Sequence, residues 1–233
     1  MPGRLLLFDI DNTLLYSGGA GSVSMALAFH DMFGIEDGFK GVEFSGRTDR
    51  YILTEAMRQH ALDSAYEDIE SSFLERYFGY LPDKLRERDG SLMPGFPGLL
   101  EALSGQADVR MGLATGNFSG SARIKLEHFG VYQYFDGGGF GEESESRDVV
   151  VGNAIARLAD GLAPAEVLVI GDTPHDISAA KANGATAVGV ATGHNAAGDL
   201  RDAGADIVFE DFSDWREAAR RLSAQTSARP DGS

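Results

Sequence analysis

The chain of 233 residues contains no cysteine, and its 20 lysine and arginine residues are outnumbered by 36 aspartate and glutamate residues. The absence of cysteine excludes disulfide bonds and thiolate catalysis and fits a reducing compartment, so the cytoplasm is the expected location. A formal net charge of −16 opposes binding to nucleic acid or to an anionic membrane, because both would be repelled at long range. We therefore expect neither as a partner.

Long apolar runs are also missing, since no stretch approaches the ~20 residues that a membrane-spanning helix needs. The first residues, MPGR, lead straight into a short apolar run, so we expect no signal peptide. With 43% apolar residues the chain can form one large domain, or a core and a smaller domain. A small anionic substrate is still permitted, because a metal ion and one or two arginines can reverse the charge of a cleft.

The apolar run LLLF is followed by two acids at alternate positions, Asp9 and Asp11. The run predicts a strand buried on both faces that delivers the acids to its carboxyl end, where open α/β sheets bind ligands. Two such carboxylates would lie roughly 6.6 Å apart on one face and repel by about 2.5 kcal/mol at an effective dielectric constant of about 20. A divalent cation would offset this repulsion and leave one nucleophile and one proton donor. A turn in which Asp11 bonds nearby backbone groups is the alternative.

Short β-like runs alternate with helical ones in the second part of the chain, which is the pattern of a parallel sheet with crossover helices. The strands predicted there are residues 109–114, a short strand near Phe135, and residues 167–170, 187–190 and 207–209. Helices are predicted to start near Pro97, Ser119, Arg147, Pro174, Asn195 and Asp214. Three earlier helical stretches, residues 23–33, 49–59 and 66–88, interrupt this pattern. We predict a core domain of residues 1–16 and 95–225, a helical insert of residues 17–94 and a flexible tail of residues 226–233.

Two further predicted strands end in residues that suit a phosphate and a cation. Thr115, Gly116 and Asn117 would offer a hydroxyl and free backbone amides to a phosphate oxygen, although an ordinary helix cap explains the same residues. The segment GDTPHD adds Asp172 and Asp176, and carboxylates are ligands that Mg²⁺ prefers. Helix capping is the structural alternative for these acids. His175, which lies between them in sequence, is expected to face solvent.

These segments resemble, in the same order, the motifs of the haloacid dehalogenase-like phosphohydrolase superfamily. FDIDNTLL resembles its first motif, hhhDxDxT, Thr115 matches the second, and GDTPHD matches the fourth. The third motif commonly has a lysine near the start of a helix. None of the four lysines of this chain falls in that interval: Lys40, Lys84, Lys125 and Lys181. Arg147 is the predicted replacement, because the role is electrostatic and bidentate, and an arginine paired with a neighbouring acid is the alternative.

This resemblance implies a phosphatase of the phosphoglycolate phosphatase-like branch, with a Rossmann-like core that has helices on both faces and an inserted α-helical cap. It implies Mg²⁺ as cofactor, a small phosphorylated metabolite as substrate, and a monomer or homodimer. Its roles for individual residues place the nucleophile at Asp9, the acid and base at Asp11, phosphate stabilisation at Thr115 and Arg147, and substrate contacts at Thr115, Gly116 and Asn117. The metal ligands it implies are Asp9, Asp172, the backbone carbonyl of Asp11, and Asp176 through water.

Arg47, in the insert segment SGRTD, is assigned by the same resemblance to the substrate's own anionic group. A surface arginine beside a helix cap is an equally good interpretation.

Three rival functions remain open at this point. A haloacid dehalogenase has no use for a proton-donating Asp11, so the second acid argues against it. A β-phosphoglucomutase-like phosphotransferase shares every core residue discussed above. A receiver-like, non-enzymatic phospho-acceptor would carry phosphate on Asp9, but it has no need of an insert that excludes bulk water.

Overall fold

Strand β1, Arg4–Phe8, lies at the centre of a six-stranded parallel sheet, and all five of its residues are buried. It pairs with residues 109–114 on one side and residues 167–171 on the other, and the order of the strands across the sheet is 138–139, 109–114, 4–8, 167–171, 186–190 and 207–209. The computed structural model of the protein describes residues 3–62 and 66–224. Within them the predicted α/β class with a Rossmann-like parallel sheet is confirmed.

The elements follow one another along the chain as the alternating pattern predicts. The strands are β1 Arg4–Phe8, β2 Leu15–Tyr16, β3 Ser91–Leu92, β4 Val109–Ala114, β5 Gly138–Gly139, β6 Val167–Gly171, β7 Thr186–Val190 and β8 Ile207–Phe209. The α-helices are α1 Ala20–Phe33, α2 Asp49–Gln59, α3 Tyr66–Glu87, α4 Gly98–Ser104, α5 Ser119–His128, α6 Arg147–Leu158, α7 Pro174–Ala182, α8 Ala197–Asp202 and α9 Trp215–Ser223.

Alternate residues of β1 pack into two separate hydrophobic layers. Leu6 and Phe8 join a layer with α4, α5 and α9, whereas Leu5 and Leu7 join a layer with α6, α7 and α8. Both faces of the sheet are therefore covered by helices, which is why the strand is an unbroken apolar run rather than an alternating one.

The helical insert has a hydrophobic cluster of its own. Residues of α1, α2 and α3 pack around Phe29, Leu53 and Phe73, and Phe118, just before α5, completes this cluster from the core side. The two-residue strands β2 and β3 pair antiparallel where the chain leaves the core and returns to it. The predicted domain boundaries themselves stay a prediction.

One predicted element was misplaced, and some expectations fall outside the described residues. The strand expected near Phe135 is β5, Gly138–Gly139, and a 3₁₀ turn at Tyr132–Tyr134 precedes it. Glycine has low β propensity, so the sequence pattern pointed to the aromatic residues instead. The first two residues and the predicted tail, residues 226–233, lie outside the described part. Among the described helices, none has the length and hydropathy to cross a membrane.

Candidate active site

The end of β1 places Asp9 and Asp11 in different surroundings. The Asp9 amide still pairs with the carbonyl of Ile170 in β6 at 2.9 Å, so this side chain is held by the sheet. The chain then turns at Asn12, whose φ of 60° lies in the left-handed region that asparagine tolerates. The Asp9 side chain is 12% exposed and the Asp11 side chain 38% exposed. A turn therefore follows the strand, but the Asp11 carboxylate accepts hydrogen bonds from Lys125 and Asn117 and not from nearby backbone groups, and both acids line one cleft.

Three buried carboxylates meet at the ends of neighbouring strands β1 and β6. Oxygen atoms of Asp9, Asp172 and Asp176 all lie within 4.8 Å of one another. Asp176 is also the third residue of α7, where its Oδ2 accepts hydrogen bonds from the amide and hydroxyl of Thr173 at 3.2 and 2.7 Å. Capping and clustering with the other acids are thus both properties of Asp176. The Asp11 carboxylate is outside this group.

Arg147, at the first position of α6, reaches into this cluster. Its Nη2 atom donates to Asp9 Oδ1 at 2.6 Å, to Asp176 Oδ1 at 2.7 Å and to the carbonyl of Ala114 at 3.0 Å. The side chain is 7% exposed, so these are buried ion pairs. The alternative interpretation, a helix-start arginine paired with an acid close in sequence, does not describe this arrangement.

The charges of the cluster do not balance among the described residues. Three carboxylates face one guanidinium, and burial raises the pKa of Asp9 to about 6, with Arg147 lowering it and Asp176 raising it. Burial, followed by the charges of Asp176 and Asp9, raises the pKa of Asp172 to about 8. Burial opposes the charged form of Arg147, but the two carboxylates raise the pKa of its guanidinium. A site with surplus buried negative charge and oxygen donors suits a hard divalent cation.

The residues after β4 form a buried polar turn. Thr115 has no exposed surface, and its hydroxyl oxygen accepts hydrogen bonds from the Asn117 amide at 3.2 Å and from Asn117 Nδ2 at 3.0 Å. The hydroxyl hydrogen of Thr115 is the donor that is left for a ligand. A Cβ atom at Gly116 would clash with the carbonyl of Arg47 and lie 3.1 Å from Arg147 Nη1, so only glycine fits this close approach.

Lys125 is the residue that the sequence argument dismissed, and the structure places it in the site. Its Nζ atom donates to Asp11 Oδ1 at 2.8 Å, to Asp11 Oδ2 at 2.6 Å and to Asn117 Oδ1 at 2.6 Å. Lys125 lies outside the sequence interval of the family's third motif. It reaches the site from the second turn of α5. The helical periodicity could have indicated Lys125, because this residue shares the buried face of α5 with Ser121 and Ala122, and a buried charged side chain needs a partner.

The helical insert contacts the core around the same cleft. The carboxylate of Asp49, at the start of α2, accepts from the amide of Phe118 at 2.9 Å and from the hydroxyl of Ser121 at 3.3 Å. Burial raises the pKa of Asp49 to about 6, although the charge of Lys125 lowers it. Gly46 packs on the core, where an added Cβ atom would lie 2.5 Å from His175 Cδ2. His175 is half-buried, so it faces solvent only in part.

Arg47 lines the cleft, but its guanidinium is engaged elsewhere. Two of its nitrogens donate to Glu43 Oε2 at 2.8 and 2.6 Å, and it stacks 4.8 Å above the ring of Tyr51. Its side chain is 32% exposed. To contact a substrate, Arg47 would have to leave an exposed ion pair, which is a small cost.

These groups enclose a cavity of about 390 Å³ between the sheet edge and the insert. Asp9, Asp11 and Asp172 line one side of it. The insert lines the other side with Met25, Phe44, Arg47, Ile52 and Tyr77, among others. The size suits a small molecule, and the mixture of apolar walls with a few polar groups is typical of ligand pockets.

The chain is similar to known hydrolases over most of its length. Residues 6–190 match the family described as haloacid dehalogenase-like hydrolase. A phosphoglycolate phosphatase of Rhodospirillum rubrum is 28% identical over 236 residues, covering 92% of this chain and 91% of that protein. A phosphoglycolate phosphatase of Salmonella choleraesuis is 26% identical over 242 residues, covering 91% and 90%. The crystal structure of a hydrolase from Pseudomonas syringae shares the fold, with a TM-score of 0.69 at 23% identity and coverage of 95% of this chain and 100% of that one.

Proposed function

We propose that this chain is a Mg²⁺-dependent enzyme that acts through an aspartyl-phosphate on Asp9. The chain belongs to the haloacid dehalogenase-like hydrolases. It is a phosphatase of that family, that is, a hydrolase acting on phosphoric monoesters. The single observation that supports this best is the contact between Asp9 and Arg147 at the edge of the sheet, 2.6 Å, beside Asp172 and Asp176. A nucleophilic carboxylate, a fixed cation and further acids are the parts that phosphoryl transfer needs.

The donor set fits a magnesium ion. Asp9 and Asp172 would hold the ion with carboxylate oxygens, and the backbone carbonyl of Asp11 would be a further ligand from the same strand end. Both oxygens of Asp176 already accept hydrogen bonds, from Arg147 and Thr173, so its contribution would be through water. When bound, the ion would neutralise charge on the phosphoryl oxygens and on the buried acids.

The reaction begins with attack by a carboxylate oxygen of Asp9 on phosphorus. A P–O bond to Asp9 forms while the ester P–O bond breaks, and Asp11 gives its proton to the departing oxygen. In the second half Asp11 takes a proton from water, whose oxygen attacks phosphorus and releases Asp9. Asp11 suits the role of proton carrier because its side chain is the more exposed of the two acids, 38% against 12%.

Arg147, Thr115 and Gly116 would stabilise the phosphoryl oxygens. The Arg147 Nη1 atom lies toward Gly116, and the Thr115 hydroxyl hydrogen and the Gly116 amide are the neighbouring donors. Asn117 has a different part, because its side chain contacts Thr115, Asp11 and Lys125. It supports the site rather than the substrate.

Residues 17–94 would act as a cap domain on a core of residues 1–16 and 95–225. The contacts of Asp49 and Gly46 with the core support a closed arrangement of this kind, which would exclude bulk water from the cleft. The cavity of about 390 Å³ limits the substrate to a small phosphorylated metabolite. The names of the two relatives make phosphoglycolate the first compound to test, with Arg47 as the group for its carboxylate. A cytoplasmic monomer or homodimer without nucleic-acid partners completes the proposal.

The test is steady-state release of inorganic phosphate by purified protein from phosphoglycolate, other small phosphate esters and 4-nitrophenyl phosphate. We expect turnover with Mg²⁺, no turnover after chelation by EDTA, and recovery when Mg²⁺ is restored. The Asp9→Asn variant should fold and lose activity by at least about 10³-fold, since it removes the nucleophile. An Asp9→Asn variant as active as wild type would refute the proposal, and a single turnover without further phosphate release would favour the phospho-acceptor.

A further inference from the structure

The contacts of the Lys125 amine distinguish between two possible roles for a buried cation in a phosphatase cleft. It can contact the substrate, or it can hold another protein group in place. An ammonium group has three hydrogen-bond donors. The three short contacts of Lys125 Nζ are to the two carboxylate oxygens of Asp11 and to Asn117 Oδ1. These contacts use the donors of the ammonium group within the protein.

Burial points in the same direction. The Lys125 side chain is 4% exposed, whereas the Asp11 side chain that it contacts is 38% exposed. Helix α1 covers the amine from the insert side: a Cβ atom at Gly21 would lie 3.3 Å from Lys125 Nζ. Both residues line the cavity, but the Lys125 side chain is almost wholly covered, whereas Asp11 offers the larger exposed surface.

The two carboxylate oxygens of Asp11 accept different numbers of hydrogen bonds. Oδ2 accepts from Lys125 at 2.6 Å and from Asn117 Nδ2 at 2.8 Å, which occupies both of its lone-pair directions. Oδ1 accepts from Lys125 at 2.8 Å. Oδ1 thus keeps a lone-pair direction for the proton that Asp11 transfers.

We propose that Lys125, supported by Asn117, is a positioning residue that fixes the Asp11 carboxylate with Oδ1 directed at the leaving oxygen of the substrate. This role rests on the proposed phosphatase mechanism, in which Asp11 protonates that oxygen as the ester bond breaks. Without Lys125 the carboxylate keeps only the contact of Oδ2 with Asn117, so Oδ1 is no longer fixed and proton delivery fails in a large share of encounters with substrate. Binding of the phosphoryl group by Arg147 and Thr115 is left intact.

The leaving group gives a sharp test. An alkoxide needs its proton as the P–O bond breaks, while 4-nitrophenolate leaves without one, and general acid catalysis contributes about 10²–10⁴-fold where it is needed. The quantity to compare is kcat/KM, because it reports the steps up to release of the alcohol or phenol. For Lys125→Met we expect a loss of about 100-fold or more with the alkyl phosphate that wild type hydrolyses fastest, and of less than about 5-fold with 4-nitrophenyl phosphate.

A second variant and a matched control complete the experiment. Asn117→Ala removes the other donor to Asp11 Oδ2 and should show the same dependence on the leaving group, even if Lys125→Met does not fold. Lys181→Met removes another ion-paired lysine, but one that is 43% exposed and pairs with Asp206, and it should leave both rates unchanged. Lys125→Arg, which keeps the charge, should recover part of the alkyl phosphate activity.

The outcomes separate the two proposals. Equal losses for both substrates in Lys125→Met and Asn117→Ala would overturn the positioning role while leaving the phosphatase function in place. A loss confined to KM would instead make Lys125 a substrate-binding cation, which also overturns it. If wild-type protein hydrolyses neither ester, the proposed function is wrong and the role of Lys125 falls with it. A crystal structure of Lys125→Met with the Asp11 carboxylate unmoved would count against the proposal as well.

Discussion

Arg147 Nη2 lies 2.6 Å from Asp9 Oδ1, so the first residue of α6 supplies a buried cation to the residue that directly follows the central strand. The same guanidinium is 2.7 Å from Asp176 Oδ1. We propose that this contact replaces the one that the family's lysine would make. Because a guanidinium has five donors in a planar fork, it can bridge two carboxylates and still direct a nitrogen at a ligand, which an ammonium cannot do as well.

Loss of Arg147 is expected to damage stability and catalysis together. Arg147→Met leaves two buried carboxylates without their cation, which should cost about 3–5 kcal/mol in the free energy of unfolding. Arg147→Lys keeps a charge but loses the bridging geometry, so we expect a folded protein with kcat lowered by about 100-fold. Urea unfolding and steady-state kinetics measure the two effects. Arg123→Met, which removes an exposed pair with Glu127, is the control and should cost less than about 1 kcal/mol.

Asp49 should make the stability of the protein depend on pH. Burial raises its pKa to about 6, above the value of about 3.9 expected in the unfolded chain. The folded state therefore binds this proton more tightly, and the contribution of Asp49 to the free energy of unfolding falls as pH rises from about 4 to about 6. Asp49→Asn lacks this titration, so its stability relative to wild type should rise by about 2–3 kcal/mol across that range. Urea unfolding at several pH values tests this, and a constant difference between the two proteins would contradict it.

Magnesium binding should release protons and tighten as pH rises. Burial, together with nearby carboxylates, raises the pKa of Asp9 to about 6 and that of Asp172 to about 8. Mg²⁺ must displace these protons, so its affinity should rise by up to about tenfold per pH unit between pH 6 and 8 for each proton released. Calorimetry in two buffers with different ionisation enthalpies counts the protons. An affinity that is the same at pH 6 and pH 8 would be inconsistent with this view of the acid cluster.

Gly46 should be required for the contact between the insert and the core. Its φ is 69°, and an added Cβ atom would lie 2.5 Å from His175 Cδ2 and 2.9 Å from Thr173 Oγ1. Gly46→Ala is therefore expected to displace the segment that carries Arg47 and to lower kcat/KM by at least about 10-fold. Gly41→Ala is a matched control, since Gly41 has a φ of 81° but no atom within 4 Å of the added carbon. Similar kinetics for the two variants would mean that backbone strain, and not the contact, causes the loss.

Local sequence patterns were enough for most of the fold. The apolar run of β1, the β-like run of β4 and the start of α6 at Arg147 follow from residue type and periodicity, because burial on both faces demands unbroken apolar strands. The short strand β5 did not follow, because its two glycines carry no β preference and its pairing with β4 is what makes it a strand.

The acids were accessible to the same reasoning and Arg147 to the motif resemblance, whereas Lys125 follows from neither and is indicated only by its place on the buried face of α5. Asp9, Asp172 and Thr115 each follow a strand directly, and the carboxyl ends of neighbouring parallel strands must lie at one edge of the sheet. Lys125 follows no strand. Its position is set by the packing of α5 and by the length of a side chain that reaches back to Asp11.

Asp9 and Asp11 show which properties of the site the sequence determines and which depend on the tertiary structure. Their spacing in FDIDNTLL is a property of the sequence, and a strand with that spacing necessarily presents both acids at one edge of the sheet. Their different surroundings depend on residues that are far away in the chain: Arg147 beside Asp9, and Lys125 beside Asp11. Local order carries the periodicity that selects strands and helices, but ion pairs between residues more than a hundred positions apart form only when the packed elements bring the charges together, and no local pattern records that distance.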